Sequence, residues 1–274
     1  MANTLLKLLF LSLLLLQPFY PAAAPAAYAA GQTKSEVKAT LSALVARVRD
    51  EAAQNTVPVV VFDLDDTTFD SRYKRLLIIG DFIRQPETAA AYPVETAKIT
   101  PALGNVRVIK ASMRETMAAL GVSNTAFIAA VSKFSNARIM TNEYLARETA
   151  VAGAPAYCNA LYKSGARIVY ITARRGMHRP GTESALRSNK LPFDTPGVAI
   201  YFNERDENVI AYKKRVLSET SQSGKVIGGF ENEPDNINLF SEMFPQGYMF
   251  FLNTRKSSNT PLKPGITVIN NFLN

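Results

Sequence analysis

Residues 57–70 read Val-Pro-Val-Val-Val-Phe-Asp-Leu-Asp-Asp-Thr-Thr-Phe-Asp. The apolar run at 59–62 is β-branched and aromatic with no polar alternation, which predicts a strand buried on both faces, as in a parallel sheet. Pro58 opens that strand, where a missing N–H is tolerated. The run stops at Asp63, and Asp65, Asp66 and Asp70 follow. Acids just past the carboxyl end of a buried parallel strand lie where open α/β sheets hold their ligands. Asp63, Asp65 and Asp66 crowd one short segment and repel one another unless a cation is present, and a hard, oxygen-seeking ion such as Mg²⁺ suits them. A solvated acidic turn is the plainer alternative; the Asp-x-Asp-x-Thr pattern on this hydrophobic platform is more specific than that.

Asp63-Leu64-Asp65-Asp66-Thr67 resembles the first motif of the haloacid dehalogenase-like (HAD) hydrolases. Most members of that superfamily are Mg²⁺-dependent phosphatases that pass through an aspartyl-phosphate. Thr68 stands where an apolar residue is usual. The resemblance implies an α/β fold, a doubly wound, mainly parallel Rossmann-like sheet with an inserted helical cap. It makes Asp63 the nucleophile and Asp65 the general acid/base, with the Asp65 main-chain carbonyl a metal ligand. The chemistry agrees: a carboxylate is already charged at neutral pH and can accept a phosphoryl group, and a second acid can protonate the leaving group and activate water.

The chain has 274 residues. Lys7 is the only charge among residues 1–29, residues 8–16 are almost wholly apolar, and a Pro/Ala-rich stretch follows. That is the form of a cleaved export signal, with cleavage after Ala29 or Ala30; the apolar run is short for a membrane span. The expected localisation is therefore periplasmic or secreted, with no stable membrane anchor after cleavage. About 245 residues remain, enough for one α/β domain with an insertion. Lys and Arg number 31 against 23 Asp and Glu, a formal charge of +8. The basic residues are scattered without aromatic interleaving, so there is no strong nucleic-acid signal. Cys158 is the sole cysteine, which excludes an intramolecular disulfide and reads as packing.

Apolar spacing predicts an entry helix over 35–53 that covers the first strand. The next β-like run is 167–172, about 95 residues beyond Asp70 and too far for an ordinary βαβ crossover. Between them Val106, Ile109, Met113, Met117 and Leu120 share helical spacing, as do Phe127, Val131 and Phe134, and helices are expected over 142–150 and 154–164. This is where the resemblance puts the cap. The expected division is a core of residues 30–84 and 161–274 and a cap of residues 85–160, with Tyr144 and Arg138 as candidates for substrate choice. Strands are expected at 167–172, 198–202, 225–230, 248–252 and 266–269, with helices over 182–189, 206–220 and 235–244, an alternation that implies a doubly wound sheet.

Three further motifs follow in the superfamily's order. Thr172 closes its strand and can offer a hydroxyl to a phosphate oxygen, with Arg174 close behind. In 209–217 the apolar residues point their mean direction at Lys213, while Lys214 lies about 100° round the helix. An unpaired ammonium on a buried face is costly, so Lys213 is expected to reach Asp63 and the phosphate; Lys214 and, more remotely, Lys225 are the alternatives. Residues 229–235 read Gly-Phe-Glu-Asn-Glu-Pro-Asp. The resemblance implies a metal set of Asp63, Asp65, Glu231 and Asp235, with Glu231 longer than the usual Asp and Glu233 facing away. His178, the only histidine, shares a basic loop with Arg174, Arg175 and Arg179 that could hold an anion or be merely solvated. No Gly-x-Ser-x-Gly elbow occurs.

The function this implies is a Mg²⁺-dependent hydrolase of small phosphate monoesters. Dehalogenase action is disfavoured by the second acid at Asp65, and mutase or ATPase action by an exported chain without further modules. An exported, acid-phosphatase-like member with a helical cap is the kind suggested. The alternative from another class is a non-catalytic exported binding protein that kept the fold.

Overall fold

All five residues of β1, Pro58–Phe62, are buried, as an unbroken apolar run requires. The computed structural model describes residues 32–273, so the expected export signal lies outside the described residues. Around β1 stand β2 (Arg167–Thr172), β3 (Val198–Phe202), β4 (Lys225–Glu231), β5 (Tyr248–Leu252) and β6 (Thr267–Ile269). Every neighbouring pair is parallel, in the order β3-β2-β1-β4-β5-β6. In that order the winding reverses between β1 and β4, and a crevice opens at the carboxyl ends of these two strands. The architecture is a Rossmann-like, parallel α/β core with an inserted helical region.

The helices are α1 (Lys34–Ala53), α2 (Ser71–Ile83), α3 (Pro86–Ala91), α4 (Pro93–Ile99), α5 (Met113–Ala119) and α6 (Thr125–Arg138). After them come α7 (Asn142–Leu145), α8 (Ala154–Lys163), α9 (Arg179–Ser188), α10 (Val209–Gln222) and α11 (Pro234–Met243). Because side chains alternate across a strand, Val60 and Phe62 face the layer of α1, α8 and α9. Val59 and Val61 face α10 and α11 on the other side. Phe62, Phe230 and Phe250 stack across β1, β4 and β5 with ring centroids 4.6 Å apart and planes 3° from parallel. Glycine is needed twice in β4: a Cβ on Gly228 would lie 2.8 Å from Leu44 of α1, and one on Gly229 2.8 Å from Phe240 of α11. A side chain there would force Leu44 or Phe240 out of its packed position.

Cys158 of α8 sits free and fully buried in the first layer. Burial pushes its thiol well above the usual range, and the thiolate is the reactive form. A chromogenic disulfide reagent should therefore find no thiol in the native chain and one equivalent in denaturant. Rapid reaction of the native protein would contradict this packing.

The inserted region has its own core, in which Leu76, Ile79, Phe82 and Ile83 of α2 pack with Ile99, Ile109, Met117, Phe127 and Val131. The single helical face expected over 106–120 is divided into a 3₁₀ turn at Val106–Val108 and α5. Ser112 and Glu115 form a reciprocal capping box that starts a new helix there. The helix expected over 142–150 is only α7, because the chain leaves it to pair with the loop after β1. Asp70 N–H donates to Thr149 O at 2.9 Å and Val151 N–H to Thr68 O at 2.8 Å. Among the described residues no helix is long and apolar enough to cross a membrane.

Candidate active site

Asp63 N–H donates to Phe230 O at 3.0 Å, extending the β1–β4 pairing by one residue. The chain then folds back on itself, with the N–H groups of Thr68 and Phe69 donating to Leu64 O at 3.0 and 2.8 Å. Asp66 takes φ of +58°, a left-handed conformation that Asp tolerates better than most residues. Thr68 Oγ1 donates to Asp63 O at 2.6 Å. The Thr that departs from the usual apolar residue thus fastens the turn that presents Asp63.

Lys213 arrives from the opposite wall. Asn208 caps α10 by accepting from Ile210 and Ala211 N–H, and Tyr212, Val216 and Leu217 bury the face on which Lys213 lies. Its Nζ donates to Asp63 Oδ1 at 2.7 Å and also to Glu231 Oε2. Lys214 is exposed, and Lys225 is an exposed partner of Glu51. The other Glu231 oxygen accepts Asn232 and Glu233 N–H at 3.0 and 2.9 Å. Burial alone would lower the Lys213 pKa, but the two carboxylates hold it above the usual value. Burial and the neighbouring Glu231 charge push Asp63 up, against the pull of Lys213. Two buried carboxylates share one ammonium, so with both ionised the pocket would carry an excess of negative charge, which is why the Asp63 pKa is raised.

Asp65 is held differently. Arg174 Nε and Nη2 donate to its two oxygens at 2.8 and 2.7 Å, a bidentate fork. The same guanidinium donates to Glu148 at 2.8 Å and Thr182 Oγ1 at 2.9 Å, and Lys74 Nζ donates to Glu148 Oε1 at 2.6 Å. Arg174, Glu148 and Lys74 are buried, whereas 41% of the Asp65 side chain stays exposed to the cavity. Burial works to raise the Asp65 pKa, but Arg174 outweighs it and holds the carboxyl well below the usual range. Asp65 therefore stands ionised. Lys74 and Glu148 escaped the sequence reading because they lie 74 residues apart with no shared motif or period.

Asp63, Asp65, Lys213, Glu231 and Asp235 all line a cavity of about 380 Å³ at the carboxyl edge. Thr172 is not on its wall; its buried hydroxyl accepts Arg174 N–H at 3.3 Å, while Ala173 lines the cavity instead. Glu233 turns to Ser257, accepting its N–H at 2.8 Å and its hydroxyl at 2.8 Å. The basic loop is engaged in surface ion pairs: Arg175 with Asp206, and Arg179 with Glu204 at 3.0 Å. His178 is half-buried there, and burial with Arg174 and Arg175 lowers its pKa. Tyr144 donates to Asp81 at 3.0 Å and Arg138 lies over the Phe134 ring at 3.6 Å, neither on the cavity.

The crowded acids after β1 are answered largely by protein groups. Asp66 accepts from Ser71, Asp70 caps α2 and pairs with Arg72, and Asp65 has Arg174. Among the described residues no group of three or more His, Cys, Asp or Glu side chains converges to hold a metal. Of the four acids expected to do so, Glu231 has both oxygens occupied and Asp65 is tied to Arg174. Asp63, with one oxygen left by Lys213, and the exposed Asp235 are the side chains that remain. Mg²⁺ asks little more of a protein than one or two carboxylates, completing its shell with water and substrate oxygens. Asp63 and Asp235 are oxygen donors of the type Mg²⁺ takes, and a cation there would offset charge on the Asp63 and Glu231 carboxylates.

No family model matches the chain, and no curated relative does. Among solved structures it is similar to the tungstate-bound class C acid phosphatase of Bacillus anthracis at 15% identity and a TM-score of 0.38. That match covers 75% of this chain and 66% of the phosphatase, just under two thirds of its length. A hydrolase from Streptococcus pneumoniae TIGR4 is similar at 11% identity over 75% of this chain and 94% of that one, TM-score 0.43. A HAD-superfamily hydrolase, subfamily IA, from Geobacter sulfurreducens PCA is similar at 14% over 79% and 93%, TM-score 0.44. At these identities the likeness concerns the fold alone.

Proposed function

We propose that the protein is a HAD-type hydrolase of small phosphate monoesters, with Asp63 as nucleophile and Mg²⁺ as cofactor. The observation that carries this reading is the buried Lys213 ammonium between Asp63 and Glu231 at the crevice between β1 and β4. Such a charge cluster costs desolvation and has no structural need at a strand end. The Asp63 oxygen not held by Lys213 attacks phosphorus as the ester P–O bond breaks, leaving an alkoxide that takes up one proton. Water then attacks the aspartyl-phosphate, gives up a proton, and frees inorganic phosphate and the Asp63 carboxylate. Lys213 holds Asp63 in place and offsets charge on the transferring oxygens. Asp65, ionised on Arg174, is in the form that takes the proton from water. To protonate the leaving alkoxide it must first gain a proton, hence leave Arg174.

Asp63 and Asp235 would hold Mg²⁺, with the Asp65 carbonyl as a further oxygen on the strength of the motif; when bound, the ion neutralises phosphoryl charge. EDTA should silence turnover, Mg²⁺ should restore it, and Asp235→Ala should raise the Mg²⁺ requirement by an order of magnitude or so. Full activity in excess chelator would remove the metal from the account. The same assay separates a hydrolase from a binding protein that merely kept the fold. The proposed division is a core of residues 30–84 and 161–274 and a cap of residues 85–160, except that α8 (Ala154–Lys163) packs on the sheet and goes with the core, with α2 as the shared wall. It also retains export to the periplasm or beyond after loss of residues 1–29, which N-terminal sequencing of native material checks.

A further inference from the structure

A second cavity, of about 600 Å³, adjoins the catalytic one and shares Asp66 and Arg255 with it. It lies between the first turn of α2, residues 109–111 of the inserted region, and the loop after β5. Pockets between two structural units are common ligand sites. Five cationic side chains line it against two acidic ones, and they are not equally satisfied. Arg72 is neutralised by a bidentate pair with Asp70 at 2.8 and 2.6 Å. Arg75 is half-buried, and its buried Nε has no hydrogen-bond partner among the described residues. Arg255, close enough to repel it, is exposed and has no ion pair among the described residues. Burial, then that repulsion, lowers the Arg75 pKa from its ordinary value.

The two acids on this wall are already engaged, Asp70 by Arg72 and Asp66 by Ser71; two guanidiniums on one space, one with an orphaned buried donor, then form a site for an anion. We propose that this cavity binds a second phosphate carried on the alcohol side of the ester, so that the preferred substrates are small bisphosphates. The inference rests on the phosphate-ester reading above for the group at Asp63. A phosphate suits the site better than a carboxylate because it brings two charges and three acceptor oxygens to two separate forks. Arg255, on the walls of both cavities, ties the two phosphates to one substrate.

The test compares kcat/KM for fructose 1,6-bisphosphate and fructose 6-phosphate in the full chain with Mg²⁺. The wild type should prefer the bisphosphate by an order of magnitude or more, and Arg75→Met should reduce that ratio by about tenfold, the scale of one charged hydrogen bond. Arg255→Gln, on an exposed side chain, repeats the comparison should Arg75→Met not fold. No preference in the wild type, or a ratio unmoved by either change, overturns the proposal. An equal preference for 3-phosphoglycerate over glycerol 3-phosphate would show that any anion serves, which overturns the phosphate assignment. If no phosphate ester turns over, the hydrolase reading fails by itself. Calorimetry of fructose 1,6-bisphosphate with Asp63→Asn then decides the site: binding weakened about tenfold by Arg75→Met supports it, and binding indifferent to Arg75 overturns it.

Discussion

Asp63→Asn should lose turnover of every phosphate ester by at least about 10⁴-fold, the scale on which removal of a nucleophile acts. The same variant should fold at least as firmly as the wild type. Burial and Glu231 raise the Asp63 pKa, so the folded state favours the uncharged form of this group. A neutral, nearly isosteric amide fixes that uncharged form and leaves the Lys213–Glu231 pair intact. Activity and stability thus part company at this residue, as they would not at an ordinary core position. Turnover within a few fold of wild type would remove Asp63 as nucleophile, and an unfolded Asn variant would contradict the electrostatic picture of the pocket.

Lys213→Ala should damage both. Removing the one ammonium leaves Asp63 and Glu231 facing each other in a buried pocket, a change that costs about 3–5 kcal/mol when one partner of a buried pair is deleted. Turnover should fall by at least about 10²–10³-fold, the scale of losing one fixed electrostatic donor at the reacting centre. Lys214→Ala, one residue on and exposed, should move stability by no more than about 0.5 kcal/mol and leave turnover near wild type. Urea unfolding and an aryl phosphate assay read the two effects separately. The reverse pattern would mean that α10 sits in another rotational phase.

The parts of this site legible in the sequence are those carried by local periodicity. An apolar run without alternation is enough to place β1, and its sudden end at Asp63 places the crevice. The helical phase of residues 209–217 separates Lys213 from Lys214, and the structure buries the face of Tyr212, Val216 and Leu217 while Val209 and Ile210 stay exposed. Most strands after residue 166 are similarly plain, short runs rich in β-branched and aromatic residues, although β4 is broken by Gly228 and Gly229. What periodicity does not carry is the partner of each charge. The bidentate hold of Arg174 on Asp65 joins residues 109 apart, and Lys74 of α2 and Glu148 of the inserted region join it. The motif therefore names Asp65 without disclosing its charge state. Glu231 shows the same limit: its two oxygens are taken by Lys213 and by the backbone of the next two residues, a loop geometry that no spacing encodes. In the insertion, apolar spacing ran on through Ser112, where a capping box had already ended one element and begun another.

The most direct measurement of the central claim is to trap the covalent intermediate. The enzyme is mixed with a phosphate ester, quenched during turnover, reduced with borohydride and digested for mass spectrometry. An acyl phosphate on Asp63 is reduced to a homoserine residue, so the peptide holding residues 59–70 should carry that mass change at position 63, and Asp63→Asn should not. Turnover that proceeds with no modified carboxylate, or with the modification on another residue, would contradict an aspartyl-phosphate at Asp63.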